Sequence, residues 1–459
     1  MFVVGNGMSK FHKPKKDPSE GPHFHQLAKV AVTRALQDAT ISPDLIEQAV
    51  VGCTSAPVGQ RALYDMGMFN IPICTRLSSP CVCVTDSPQE AVVRSDNVSN
   101  ACSTGSNALI LARQFVEGGL NECALAVGVE KMAPGPLGGG GGGGPSRKDF
   151  NLPSMFEVQG KKFAPSDAPP NPQLFGNAGK EHMAKYGTTP EHFAMIGEKN
   201  HRHSVNNPYA QFRDVYSLED IKNAPMIHDP LTKLQCSPTS DGSAACIVCS
   251  EDFVKKHGLE GQAVEIIGQS MQTDDYQSFD IDNVNDRTCI DSVGFPMASK
   301  AANEVYSQTG LSADDVQVVE LHDCFSCNEL LTYEALQLAE EGKGGELVES
   351  GNATYGGKFV INPSGGLISK GHPLGATGIA QCNELCWQLR GEAAARQVDG
   401  AKVALQHNLG LGGNCVITMY KRPDEWLGKP LKRAVSGAMG FDTEDVPDLD
   451  TLREQSAKL

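Results

Sequence analysis

The stretch "NVSNACSTGSNALILARQF", residues 97–115, sets a cysteine among small polar residues just before an apolar run. Asn100, Ser103, Thr104 and Gly105 are turn and cap types, while Ala108, Leu109, Ala112, Phe115 and Val116 recur at helical spacing. Cys102 is therefore expected at, or just before, the first turn of an amphipathic helix. A helix start offers unpaired N–H groups and the positive dipole end, which favour a thiolate over a thiol. The same stretch equally fits a buried structural cysteine, a common fate of free thiols.

Three other stretches carry polar groups where ligands are usually met. In "ELHDCFSCNEL", a strand over 316–321 runs into His322, Asp323, Cys324 and Phe325. The C-terminal end of a strand, ahead of a helix, is where α/β folds place ligand groups. In "NPSGGLISKGHPLGATG", His372 precedes a helix start made of Gly375, Ala376, Thr377 and Gly378. Glycines there permit close backbone approach, and a histidine can act as a base. In "HNLGLGGNCV", Gly410, Gly412 and Gly413 form a turn whose backbone N–H groups are candidate oxyanion donors. Each has a plain structural reading too: a strand-end histidine, a loop histidine, a hairpin turn. His407, Cys327 and Cys415 read as packing residues.

These residues need a scaffold, and the chain supplies one. "FVVGNG", "EQAVVGC", "ECALAVGVEKM" and "VQVVELHD" read as strands, and "QLAKVAVTRALQDA" and "SCNELLTYEALQLAEE" as helices. "KVALQHNLGLGGNCVITMYK" reads as two strands about a glycine turn. The alternation argues for layered α/β units, one per half of the chain, although no repeat is visible residue by residue. Residues 133–237 differ, being rich in Pro, Asn, His and Gly with weak periodicity. They open with the glycine run 138–144, which reads as a flexible linker because no Lys-Ser/Thr follows as in a phosphate loop. Residues 74–96 lack any clear period and look inserted.

A length of 459 residues implies more than one core, and no apolar stretch is long enough to span a bilayer. A net charge of −16 argues against a nucleic-acid partner. The 15 cysteines are scattered without paired zinc spacing, so no metal site is expected and reduced thiols are the expected state. No apolar signal region opens the chain. Ala457, Lys458 and Leu459 are a conservative variant of the Ser-Lys-Leu peroxisomal address, to be read by an import receptor.

Together, "NACSTGS", "HDCF" (322–325), "GGLISKGHPLGATG" (365–378) and "HNLGLGG" (407–413) resemble the thiolase superfamily, most closely its sterol-carrier-protein type. The likeness spans 1–73 and 97–421 and includes a middle segment, "FGNAGKEHMAKYGTTPEHFAMIGEKNHRHSVNNPYAQF", similar to the family's loop domain. Ordinary thiolases carry Asn-Glu-Ala-Phe in place of His-Asp-Cys-Phe, and Cys-x-Gly in place of Gly410-Leu411-Gly412.

The resemblance implies a thiolase fold: two stacked βαβαβαββ halves in five α-β-α-β-α layers with an inserted loop domain. The N-terminal half would comprise 1–132 and 238–262, the loop domain 133–237, the C-terminal half 263–421 and a tail 422–459, with no lipid-carrier domain following. It implies thiolytic cleavage of 3-oxoacyl-CoA by an acyltransferase, with coenzyme A as substrate, no bound cofactor and a homodimer in the peroxisome. Cys102 would be the nucleophile and His372 the base that takes its proton. Cys324 would inherit the acid/base role that ordinary thiolases give to the Cys-x-Gly cysteine. His322 and His372 would hold the thioester oxygen, and the N–H groups of Cys102 and Gly412 the acyl-enzyme oxygen. The rival readings are a condensing enzyme using the same cysteine and an inactive lipid- or CoA-binding protein. Retention of all four side chains speaks against the latter.

Overall fold

Successive side chains of a strand point to opposite faces, and here both faces are buried. In the strand Gly242–Cys249, Ala244, Cys246 and Val248 enter one core while Ala245, Ile247 and Cys249 enter another. Near-continuous apolar runs of this kind require cover on both sides, hence a layered α/β architecture. The computed structural model describes residues 1–55, 59–64, 66, 68, 73–74, 96–135, 152–164, 166–274, 287–411, 413–432 and 445–456. The bulk of the 74–96 segment, the 138–144 glycine run, Gly412 and residues 457–459 lie outside the described residues.

The strands of the first half are β1 (Phe2–Met8), β2 (Gln48–Gly52), β3 (Ile73–Cys74), β4 (Asp96–Val98) and β5 (Cys123–Glu130). A small hairpin, β6 (Met226–His228) with β7 (Leu231–Thr232), stands apart, and β8 (Gly242–Cys249) completes the set. The second half contributes β9 (Val264–Thr273), β10 (Val318–Glu320), β11 (Val360–Ile361), β12 (Val403–Gly410) and β13 (Asn414–Lys421). Lateral order is β3–β2–β5–β8–β1 in the first half, with β4 also on β2, and β11–β10–β12–β13–β9 in the second. Both halves therefore share one topology. The β2·β5 and β10·β12 pairs are parallel, while the two following pairs in each half are antiparallel. The internal repeat that the sequence conceals is thus present in the backbone. A two-pair contact, Phe2↔Glu265 and Val3↔Val264, joins the halves into one 11-stranded sheet.

The longer helices are α1 (Phe24–Ala39), α2 (Thr104–Glu117), α3 (Leu152–Lys162), α4 (Pro170–Tyr186), α5 (Pro190–Ser204), α6 (Phe295–Thr309), α7 (Ser326–Ala335) and α8 (Thr377–Arg390). Three apolar clusters mark the layering. Leu27, Ala31 and Leu36 of α1 cover the outside of the first sheet. Leu109 and Ala112 of α2 mix with Ile379, Leu385 and Trp387 of α8 between the two sheets. Met297, Ala301 and Val305 of α6 and Leu330 of α7 cover the outside of the second. This is the five-layer thiolase fold. Buried polar ties pin the halves: Arg390 Nη1 meets Asp38 Oδ2 at 2.8 Å, and Asn6 Nδ2 donates to Asn383 Oδ1 at 2.7 Å.

The region 133–237 departs from its reading as weakly periodic, because it contains α3, α4 and α5. The faces of α4 and α5 that turn inward carry Asn177, His182, Lys199, Asn200, His201 and His203, all buried. These polar side chains share the buried faces with Leu174, Phe175, Phe193 and Ile196 and so blur the apolar pattern of the segment.

At the centre, α2 and α8 approach so closely that only glycine fits. A Cβ on Gly378 would lie 2.4 Å from the Ser106 backbone nitrogen and 2.3 Å from its Oγ. Gly378→Ala is therefore expected to lower the melting temperature, since overpacking a tight core costs about 1–3 kcal/mol. An unchanged unfolding midpoint would show that the two helices can separate freely.

Candidate active site

The first turns of α2 and α8 meet at this crossing and carry Cys102 and His372 with them. Cys102 follows Ala101, whose φ of 47° is left-handed and closes a tight turn before α2. Thr104 Oγ1 donates to the Ala101 carbonyl at 2.6 Å, and the Asn100 N–H donates back to Thr104 Oγ1 at 2.9 Å. From α8's side, the His372 N–H donates to Ser240 Oγ at 2.9 Å. The strand end after β10 brings His322 and Cys324, and the turn after β12 brings Leu411.

Cys102, His322, Cys324 and His372 line one small recess, together with Asn171 and Phe175 of α4, Phe325, Leu409 and Leu411. The His322 and His372 rings meet edge to face at 5.0 Å. The Cys102 sulfur and one ring nitrogen from each histidine lie within 4.8 Å of one another. Asn171 and Phe175 were not singled out in the sequence, since they sit on a helix without a visible stripe. His407 stays outside the recess, although its Nδ1 accepts the His322 backbone N–H at 3.3 Å. Cys327 and Cys415 are buried and do not line it.

The expected thiolate is not found. Burial, with the Glu130 charge adding to it, pushes the Cys102 thiol up to about 12, against the opposing N–H groups of Leu411 and Cys102. Enclosure between two sheets outweighs the helix start. Glu130 is itself buried, accepting from Thr54 Oγ1 at 2.6 Å and from the Gly375 N–H at 2.9 Å. Burial, then the Lys370 charge, lowers His372 to about 3, so its imidazole is neutral at physiological pH. Its tautomer follows from its partners. The Thr377 hydroxyl lies 3.1 Å from the Pro373 carbonyl and 2.8 Å from His372 Nδ1; with its proton on the carbonyl, its oxygen accepts from His372 Nδ1–H. His372 Nε2 therefore carries a lone pair, and it is buried without a hydrogen-bond partner among the described residues. Cys324 is also held protonated, by burial first and then by the Cys102 sulfur and Asp323.

A resting thiol has a measurable consequence. Below its pKa the thiolate fraction rises about tenfold per pH unit, so alkylation of Cys102 by iodoacetamide should climb about that steeply from pH 7 to 9. Peptide mass spectrometry isolates this cysteine from the others. A plateau near neutrality would contradict the assignment.

The layers and the paired helix starts define a thiolase fold, and comparison with known proteins agrees. The family model described as "Thiolase, N-terminal domain" matches residues 82–252, and "Thiolase C-terminal domain-like" matches 282–419. The chain belongs to the thiolase family and is an acyltransferase. It is 54% identical over 424 residues to sterol carrier protein 2 of Rattus norvegicus, covering 92% of this chain and 72% of that one. It is 45% identical over 427 residues to non-specific lipid-transfer protein-like 2 of Caenorhabditis elegans, covering 92% and 96% respectively. Human mitochondrial 3-ketoacyl-CoA thiolase in complex with CoA superposes with a TM-score of 0.61 at 18% identity, covering 92% of this chain and 98% of that one.

Proposed function

We propose that the chain cleaves 3-oxoacyl-CoA with coenzyme A through an acyl-cysteine at Cys102. The observation that carries this reading is the convergence of two thiols and two neutral histidines, Cys102, Cys324, His322 and His372, on one recess. His372 Nε2, bearing a lone pair, takes the Cys102 proton as the sulfur attacks the keto carbon. The bond between C2 and C3 breaks, its electron pair forms the enolate of the departing thioester, and Cys324 supplies the proton to C2. His322 and the now protonated His372 hold the thioester oxygen, while the Cys102 N–H, with Gly412, holds the oxygen on the acyl carbon. Coenzyme A then gives up its thiol proton to the Cys324 thiolate and attacks the acyl-cysteine; the Cys102 sulfur departs, takes back its proton from His372, and the shortened acyl-CoA leaves.

Two further points support the sterol-carrier type. A Cβ at Gly410 would lie 2.5 Å from both the Asn100 carbonyl and Ser103 Oγ, so position 410 has no room for the cysteine of ordinary thiolases. The recess is lined by Phe175, Phe325, Leu409 and Leu411 on one side, in keeping with an acyl substrate, and we extend the reading to straight, methyl-branched and sterol side-chain acyl groups. We place the reaction in peroxisomal fatty acid β-oxidation and read the protein as a homodimer. Loss of the absorbance of a 3-oxoacyl-CoA on adding coenzyme A and purified protein tests the activity. No loss with short, long or branched substrates would overturn it. Deleting residues 457–459 is expected to leave the protein in the cytosol, as fluorescence microscopy would show in cells lacking an intact copy.

A further inference from the structure

The two histidines that face each other across the recess would be interchangeable if each ring were free to choose its tautomer. His372 is not free, because Thr377 holds its Nδ1 proton. For His322 the partner is Asn408, near the end of β12, whose Nδ2 lies 3.2 Å from His322 Nδ1. An amide can turn either end toward a ring, so which end faces His322 must be settled by its other partners.

They settle it twice. Asn408 Nδ2 also lies 3.1 Å from the Cys102 carbonyl, which can only accept. At the other end, Asn408 Oδ1 lies 2.9 Å from Ser106 Oγ. That hydroxyl already accepts from Gln406 Nε2 at 2.9 Å, and so has its proton for Asn408. Gln406 is oriented in turn by the Gly378 carbonyl, which accepts from Nε2 at 2.7 Å, and by the Tyr420 hydroxyl, which donates to Oε1 at 2.5 Å. Every member of this chain is buried. The direction is thus fixed from Tyr420 through Gln406, Ser106 and Asn408 to the ring: His322 Nδ1 accepts. Burial and the facing rings of His372 and His407 hold His322 neutral, so it has a single ring proton to place.

We propose that Asn408 is a positioning residue that locks His322 with its proton on Nε2, making His322 the donor and His372 the acceptor of the pair. This deepens the thiolase reading and rests on it for its catalytic meaning. An oxyanion needs a donor already in place, and proton abstraction from Cys102 needs a bare nitrogen. The lock supplies both from chemically identical rings. It also bears on metal binding. Cys102, His322 and His372 have the spacing and donor types of a zinc site. With Nδ1 of His322 accepting from Asn408 and Nε2 carrying hydrogen, neither ring nitrogen of His322 is a free ligand in this tautomer.

The test uses the full chain with isotopically labelled histidine, reading the imidazole nitrogens by NMR and assigning His322 by difference from His322→Gln. The expected result is hydrogen on Nε2 of His322 and on Nδ1 of His372. Asn408→Asp is nearly isosteric but cannot donate, and is expected to draw the His322 proton to Nδ1. Losing a preorganised donor should then lower kcat by about 10²-fold, with KM changed far less. Asn408→Ala, which only releases the lock, should lose less activity than the aspartate variant despite removing more packing, and serves if that variant does not fold. Hydrogen on His322 Nδ1 in the unmodified protein would overturn the proposal. So would an aspartate variant whose His322 tautomer is unmoved, or one more active than alanine. The spectra decide the tautomer even if no 3-oxoacyl-CoA is cleaved, so failure of the lock and failure of the thiolase reading are separable.

Discussion

Cys102→Ala is expected to lower thiolysis by roughly 10⁴-fold or more, because removing a covalent nucleophile removes the whole reaction path rather than one stabilising contact. Coenzyme A binding should survive, since an alanine leaves the recess walls, Phe175, Phe325, Leu409 and Leu411, in place. The variant should also fold, because the turn around Cys102 is held by Thr104 and Ser103 rather than by its sulfur. Steady-state thiolysis and calorimetric titration with coenzyme A check the two halves of the statement. Residual turnover within tenfold of the unmodified protein would rule out covalent catalysis through this residue. Loss of both activity and binding would instead place Cys102 in the ligand contact.

The four recess residues stood out because each sits where a chain-local pattern changes, and the family resemblance then chose the functional reading over the structural one. Cys102 precedes an apolar helix, His322 and Cys324 end an apolar strand, and His372 stands before a run of small residues. What surrounds them was not legible, for a common reason. Asn408 lies inside a predicted strand whose motif marked only its glycines, and its partners Ser106 and Cys102 are 302 and 306 residues away in the chain. Glu130 ends a buried strand, and its bond to Gly375 spans 245 residues. Such contacts leave no periodic trace. The same distance effect misled the reading of Cys102 itself. A helix start is a local feature and argues for a thiolate, but enclosure between two sheets is a long-range one, and it dominates. The fold was legible through β1, β2, β5, β10, β12 and β13 and through α1, α2, α7 and the start of α8, while β8, β9 and the outer helix α6 were not read. The middle helices were harder to read because their inward faces bury amides, imidazoles and a lysine beside Leu174, Phe175, Phe193 and Ile196.

One buried network links these misses to the site. Asp323, between the two recess residues of its motif, accepts from the N–H groups of Leu367 and Ile368 at 2.7 and 3.2 Å and from Asn200 Nδ2 at 2.8 Å. It thereby ties the strand end after β10 to the turn leading into His372 and to α5 of the middle region. The acid that reads in the sequence as one more polar residue of a motif is, in the fold, the knot between three segments.

The sharpest expectation concerns the second thiol. If Cys324 supplies the proton to the departing enolate, Cys324→Ala should lower thiolysis by about 10²–10⁴-fold, the usual worth of a positioned general acid. Its environment suits that role, because burial and the neighbouring Cys102 sulfur keep the thiol protonated, as an acid must be before it acts. Acylation of Cys102 by a simple activated acyl-CoA should suffer much less, because a thiolate leaving group needs little protonation. That contrast separates loss of an acid from loss of fold, and Cys324→Ser, which keeps a weak donor of similar size, should fall between. Cys415 is the rival, five residues past Gly410, where ordinary thiolases carry their second cysteine nearby. It pairs with Leu409 in the strand ladder, is fully buried, and does not reach the recess. Cys415→Ala should therefore cost stability through a small cavity while leaving thiolysis per folded molecule near that of the unmodified chain. Thiolysis, acyl-enzyme formation and melting temperature measured on all three variants decide the matter. A dead Cys415 variant beside a normal Cys324 variant would overturn the assignment, and with it the view that the cysteine at 324 answers the glycine at 410.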